Sequence, residues 1–216
     1  MLSSEIKAEQ VVRNLDPFNR FLEVAAQANG EVVNCLNIAN DVGVNSNTVQ
    51  TYFQILEDTL MGFFLPAFHQ SIRKQQRQSP KFYFFDLGVC CALQQVLDQM
   101  IKPNTYGFGR YFESYVILEF MRLNSYLNKG LRFSYLRTKD QAEIDLIISK
   151  PNQPHILVEI KSATAVHESD GRTLNKFVDD FEKNTKAYIL SLDPIPKVFG
   201  KIQALHWLEG LKIILK

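Results

Sequence analysis

A chain of 216 residues with 46% hydrophobic content carries enough apolar side chain for one large core or two small ones. Its 24 Lys and Arg against 23 Asp and Glu leave a formal charge of +1, so no overall field points to a nucleic-acid or membrane partner, and local charge must carry any such reading. Three cysteines (Cys35, Cys90, Cys91) without a CxxC pair, and four scattered histidines (His69, His155, His167, His206), argue against a disulfide framework and against zinc. With no apolar run of membrane-spanning length and no signal-peptide pattern, the expectation is a soluble cytoplasmic protein without a membrane partner.

From Pro17 the pattern becomes helical. Phe18, Phe21, Leu22, Ala25 and Ala26 recur at helical spacing, and Asn29-Gly30 supplies a left-handed stop. A second short helix is expected over Leu36–Asp41, ended by Gly43. A third runs from Thr48 to about Asp58, with Asn45-Ser46-Asn47 as cap residues and Val49, Tyr52, Phe53 and Leu56 inward. The second and third helices resemble a helix-turn-helix. Its third helix would expose Asn47, Thr48, Gln50, Thr51 and Gln54, side chains suited to phosphates and base edges. Two strands, Leu60–Phe68 and Lys81–Phe85, then flank a basic turn, like the wing of a winged helix. No acid occurs between Asp58 and Asp86, so Arg73, Lys74, Arg77 and Lys81 lack a local partner. Such a run serves either as a solvated turn or as a phosphate contact, and the module as a whole also serves elsewhere as a protein-docking element.

A helix is expected over Leu87–Met100. Gly107-Phe108-Gly109 reads as a flexible approach to a strong helix from Arg110 to about Leu127, and there is no phosphate-binding GxxxxGK[ST] loop. A strand over Leu131–Leu136 leads into the most informative stretch, RTKDQAEIDLIISKPNQPHILVEIKS from Arg137 to Ser162. Two period-two segments there are joined by Ser149-Lys150-Pro151-Asn152-Gln153-Pro154, which favours a turn. As a hairpin, Ile144, Leu146, Ile148, Ile156, Val158 and Ile160 fall on one face, and Asp145, Glu159 and Lys161 on the other. Beyond Ser162 a polar loop (Ala163 to Gly171) precedes an amphipathic helix with Leu174, Phe177, Val178 and Phe181. A strand over Ala187–Leu192 follows, stopped at Asp193-Pro194, and a small helix or strand around Trp207–Leu215 ends the chain. Helix, three strands, helix, strand is an order that suits a mixed sheet flanked by helices.

A helical Glu113, then Asp145 on the second strand, then Glu159-Ile160-Lys161 on the third, resembles the PD-(D/E)XK, or restriction-endonuclease-like, nuclease superfamily. The likeness is closer to the C-terminal region of a group of bacterial and archaeal AAA-type ATPases, in which a winged helix and this nuclease-like domain follow an ATPase core. It is carried by Thr48–Pro66 (TVQTYFQILEDTLMGFFLP), Lys81–Gly88 (KFYFFDLG), Gly109–Val116 (GRYFESYV), Glu143–Leu146 and Val158–Ser162 (VEIKS). The ATPase core has no counterpart in these 216 residues. The resemblance implies an α/β architecture: a winged helix-turn-helix over residues 1–86, then a restriction-endonuclease-like domain over 87–216 with a mixed central sheet flanked by helices. It also implies Mg²⁺ (or Mn²⁺) held by Asp145 and Glu159, with the Ile160 carbonyl as a third ligand and Glu113 reaching in directly or through water. Lys161 would orient or deprotonate the attacking water, and Arg137 would meet a phosphate. The expected substrate is nucleic acid, taken as DNA, and the expected partner an ATPase chain.

Two plainer readings stand beside this one. Glu159 and Lys161 are also what a same-face pair on a solvated sheet looks like, contributing roughly 0.2–1 kcal/mol. Against that, Ile147 and Leu157 share the charged face, and two carboxylates on neighbouring strands repel unless a cation lies between them. The other reading keeps the fold without the activity, as a module that binds DNA or a partner.

Overall fold

A computed structural model describes residues 15–69, 78–181 and 184–216, as a mixed α/β chain in two compact units. The first unit takes residues 1–64 and 79–100, the second residues 65–78 and 101–216. No helix among the described residues is long and apolar enough to cross a membrane.

The first unit opens with helices α1 (Leu15–Gln27), α2 (Cys35–Val42) and α3 (Ser46–Asp58). The five residues expected inward on α1 are its buried ones. Asn34 caps α2, accepting from the N–H groups of Leu36 and Asn37, and Gly43 closes it at φ 78°. Asn45 caps α3. Phe53 of α3 centres the core, with ring centroids 4.9 Å from both Phe21 and Phe82. Strands β1 (Gly62–Leu65) and β2 (Lys81–Phe84) form a two-stranded sheet. Strand β1 is shorter than expected. The N–H groups of Leu60 and Met61 still bond back to Glu57 and Leu56 of α3, and Leu60 takes φ 55° to leave the helix. Gly62 is then obligatory, because a Cβ there would lie 2.5 Å from the Tyr83 carbonyl oxygen.

The far side of β2 is paired by the turn after α1. Gly30 N–H donates to the Phe82 carbonyl (2.7 Å), Val33 N–H donates to that of Pro80 (2.8 Å), and the buried Asn29 Oδ1 accepts from Phe84 N–H (2.8 Å). This placement corrects the reading of Lys81, which is buried within β2 and is not part of an exposed basic tip. Helix α4 (Leu87–Leu93), capped by Asp86, ends well before Met100. It packs on α1, with Gln94 Nε2 donating to the Ala26 carbonyl (2.5 Å), so the first unit extends past the expected boundary at residue 86.

In the second unit, helix α5 (Tyr106–Tyr126) begins earlier than expected. Thr105 caps it by accepting from Phe108 N–H, so Gly107 and Gly109 lie within its first turns and not in a flexible lead. Strands β3 (Arg132–Arg137), β4 (Glu143–Ser149) and β5 (Ile156–Lys161) are consecutive and antiparallel. A 3-10 turn (Glu168–Gly171) and helix α6 (Arg172–Val178) carry the chain over to β6 (Lys186–Ser191), parallel to β5 as such a crossover requires. Strand β7 (Lys197–Phe199) turns through Gly200 at φ 61° into β8 (Ile202–His206), and the sequence reading missed both. The mixed sheet has the order β3-β4-β5-β6-β8-β7. Leu174 and Val178 of α6 pack on one face with Ile147, Leu157, Ala187 and Ile189. On the other, Phe120 of α5 meets Phe133 and Gly210 of α7 (Trp207–Ile214) sits against Leu190.

After β6 the buried Asp193 gathers the loops. Its Oδ2 accepts from Lys197 Nζ (2.6 Å) and Val166 N–H (2.9 Å), and its Oδ1 from Ile195 N–H (3.0 Å). The Lys197 hydrogen bond, then these two amides, hold its carboxyl down to about 2.

Removing the acceptor from a buried amide costs about 1–3 kcal/mol. Asn29→Ala is therefore expected to lower the unfolding free energy by that amount in urea denaturation. For Asp193 the folded value lies below the unfolded one, so its contribution is fully present above the ordinary aspartate range and is lost as pH falls towards about 2. Asp193→Asn should melt below the wild type at neutral pH, and the gap should close in acid. A constant gap across the titration would refute this.

Candidate functional site

Asp145 and Glu159 come from adjacent antiparallel strands. Strands β4 and β5 pair Leu146 with Val158, Ile147 with Leu157 and Ile148 with Ile156. One further step would set Asp145 opposite Glu159, but the ladder stops there. Ile160 N–H instead donates to Asp145 Oδ2 at 2.7 Å. The cause lies on the opposite side of β4. Between the pairs Ser134–Ile147 and Leu136–Ile144, β3 uses one residue, Tyr135, where β4 uses two, Asp145 and Leu146. Such a bulge re-aims side chains and breaks the alternation. It overturns part of the expected facing: Ile144 joins Ile147 and Leu157 in the cluster under α6, and does not share a face with Leu146 and Ile148.

Both carboxylates are buried, Asp145 at 9% and Glu159 at 6% exposure. Lys161 Nζ lies 2.6 Å from Glu159 Oε1. Among the described residues, Glu159 Oε2 is buried with no hydrogen-bond partner. Burial pushes the Glu159 carboxyl above the ordinary glutamate value; the Lys161 ammonium opposes this, while the like charges of Glu113 and Glu143 reinforce it. Burial works to lower the Lys161 ammonium, but Glu159, Asp145 and Asp170 outweigh it and hold it above the ordinary lysine value. Glu113 is half-buried on α5, one turn beyond Gly109, where a Cβ would sit 3.6 Å from Ser162 Oγ; the start of α5 thus lies against the end of β5.

The residues fit a hard cation in part. Two buried carboxylates on adjacent strands, one with an unsatisfied oxygen, are the donor type that Mg²⁺ takes while keeping most of its waters. Among the described residues, however, no three His, Cys, Asp or Glu side chains gather closely enough to hold an ion, so Glu113 does not complete a cage with them. The Ile160 backbone lies beside the pair through its N–H.

Arg137 sits at the end of β3, hydrogen-bonded to Gln141 and 3.7 Å from Glu143 Oε2, so its charge is engaged locally. On α3, Asn47, Gln50, Thr51 and Gln54 share one exposed face. Thr48 is half-buried, its hydroxyl donating to Asn45 Oδ1, while the Thr51 hydroxyl donates to the Asn47 carbonyl. Arg73, Lys74 and Arg77 lie outside the described residues. Sequence reasoning passed over Glu143 and Asp170 as neighbours of the site. Glu143 was within reach, two residues before Asp145, whereas Asp170 lies in an irregular turn that no periodicity marks.

Residues 1–100 match the family model of a domain of unknown function, DUF8612, and residues 108–206 that of a second, DUF4143. Two curated relatives are similar to the chain, the uncharacterized proteins Mb2031c of Mycobacterium bovis and Rv2008c of Mycobacterium tuberculosis. Each is 26% identical over 130 residues, which is 60% of this chain and 29% of the relative. The chain thus aligns with under a third of the length of these relatives. No solved structure matches it.

Because the Glu159 value is raised, its stabilising contribution is complete only below the ordinary glutamate range and is lost as pH rises through the folded value. The melting midpoint of Glu159→Gln, taken relative to that of the wild type, is accordingly expected to rise between about pH 4 and about pH 8. A relative midpoint that falls over this range would overturn the assignment.

Proposed function

We propose that the second unit is a restriction-endonuclease-like domain that hydrolyses phosphodiester bonds of nucleic acid, taken as DNA, with Mg²⁺ or Mn²⁺. We further propose that the first unit is a winged helix that docks nucleic acid or a partner ATPase chain. One observation carries the reading: Asp145 and Glu159 are buried carboxylates on adjacent strands, with Lys161 against Glu159 and one Glu159 oxygen buried without a partner among the described residues. In support, DUF4143 is found in AAA-ATPase-associated proteins.

Asp145 and Glu159 would hold the ion, with the Ile160 carbonyl as the further donor implied by the resemblance. When bound, the ion supplies a water deprotonated near neutral pH and relief of charge at the scissile phosphate. Asp145 is held by the Ile160 amide, which fixes its carboxylate between the two strands. Lys161, whose ammonium lies against Glu159, is the group that would orient or deprotonate the attacking water. Glu113 sets the field at Glu159 from α5. The exposed Asn47, Gln50 and Thr51 of α3 are the groups available for phosphates and base edges in the first unit.

The lack of a three-donor group among the described residues favours a second reading, a non-catalytic binding module. One experiment separates the two. Supercoiled, linear and single-stranded DNA, and RNA, are incubated with protein and Mg²⁺ or Mn²⁺. Cleavage by the wild type, reduced at least about 100-fold in Asp145→Ala with its melting transition intact, is expected. Undiminished cleavage in that variant, or no cleavage of any substrate by the wild type, would favour the binding module.

A further inference from the structure

We propose that the exposed faces of α2 and α3 dock a separate protein whose contact surface is rich in lysine and arginine, and not nucleic acid. The inference rests on the docking reading above and decides its occupant. No lysine or arginine occurs between Arg20 and Arg73, a stretch that holds all of α2 and α3, while it contains five acids, Glu23, Glu31, Asp41, Glu57 and Asp58. Among the described residues of the first unit, eight acidic side chains stand against two basic ones, Arg20 on α1 and the buried Lys81. The whole chain carries a formal +1, so this excess of acid is local.

A duplex is held chiefly by cations that neutralise its phosphates, and exposed charges act over about 8–10 Å at ordinary salt. Helix α3, at 13 residues, extends roughly 20 Å without one ammonium or guanidinium of its own. Several of its donors are also engaged. Thr48 gives both its N–H and its hydroxyl to Asn45 Oδ1 (2.8 and 3.0 Å), the Thr51 hydroxyl donates to the Asn47 carbonyl (3.1 Å), and Gln54 Nε2 donates to Asp58 Oδ1 (2.8 Å). The charged groups that α2 and α3 turn fully outward are carboxylates, Asp41 and Asp58, with Leu36 of α2 adding an apolar contact at 68% exposure. Such a face repels a phosphate backbone and suits a partner that brings the donors. A guanidinium meets a carboxylate through two parallel hydrogen bonds, and arginine is enriched in protein interfaces.

Two titrations of the full chain at constant, moderate salt test this. In the first, a short fluorescein-labelled DNA duplex is followed by anisotropy. Replacing the exposed Asn47, Gln50 and Gln54 together by Ala is expected to leave its affinity within about twofold of the wild type, and absence of duplex binding by both proteins agrees equally. In the second, the probe is a labelled helical peptide of Lys, Arg and Leu, with a peptide of Glu and Leu as control. The basic peptide is expected to bind, to shift amide resonances of α2 and α3, and to lose at least about fivefold in affinity when Asp41→Asn and Asp58→Asn are combined. Asp140→Asn with Glu168→Gln, which removes two exposed acids of the second unit, is expected to change that affinity less than about twofold.

A loss of duplex affinity of at least about fivefold in the alanine variant overturns the proposal and leaves docking standing, with nucleic acid as its occupant. Peptide binding that is weakened equally by the second-unit variant overturns it as well. Absence of peptide binding, with duplex affinity unchanged in the alanine variant, overturns both the proposal and the docking reading. Self-association in sedimentation velocity that the Asp41 and Asp58 replacements abolish makes a second copy the occupant and also overturns the proposal. Should a variant fail to fold, the amide resonances of the wild type decide: movement on α3 with the basic peptide supports the proposal, and movement there with the duplex refutes it.

Discussion

The second unit depends on a mismatch of one residue between β3 and β4. Where Tyr135 faces both Asp145 and Leu146, the two strands cannot keep alternation, and the consequences spread outward. Ile144 is turned into the layer under α6, the β4–β5 ladder ends early, and a strand amide is left for Asp145 to satisfy. Tyr135 is itself held from outside, its N–H donating to the Pro66 carbonyl and its carbonyl accepting from Phe68 N–H. A carboxylate position in the interior of the sheet is thus set by backbone on both sides of its strand. This is stiffer support than a side chain on a loop would have.

Two buried carboxylates in the same unit show how differently burial is resolved. Asp193 is surrounded by an ammonium and two amides, and its ionised form is favoured. Glu159 has one ammonium, one unsatisfied oxygen and other acids nearby, and its ionised form is disfavoured. The first arrangement is what closing a loop requires. The second carries an unrelieved cost, which is the kind of imbalance found where a protein meets a ligand.

Much of the architecture was legible because it rests on local chemistry. The five inward residues of α1, the Gly stop of α2, the Asn cap of α3, and the presence of strands β4 and β5 are written in near-neighbour spacing. What stayed hidden depends on contacts distant in the chain. Lys81 reads as an exposed charge until the turn after α1 is seen to pair with β2. The bulge leaves no mark in EIDLII, because the extra residue is defined only against β3. Strand β7 has three residues and a Gly200-Lys201 turn, too short for a periodic signal. For the site, residue types and strand positions were readable from VEIKS and EID. The engagement of Arg137 with Gln141 and Glu143 was not, since it arises from the return of the chain through an irregular turn.

The two borders of the six-stranded sheet differ from an open template. Along β3 the Pro66–Phe68 segment already takes up the outward-facing main-chain groups of Tyr135, and at the opposite border β7 offers only three residues before Gly200 turns it back. Among the described residues, the outer edge of β3 is thus engaged at Tyr135 and the outer edge of β7 is only three residues long, which limits the template either offers to a stray strand. A sheet rich in Ile, Leu and Val is thereby kept from growing sideways into fibrils, with Arg132 and Arg137 adding exposed charge at the two ends of β3.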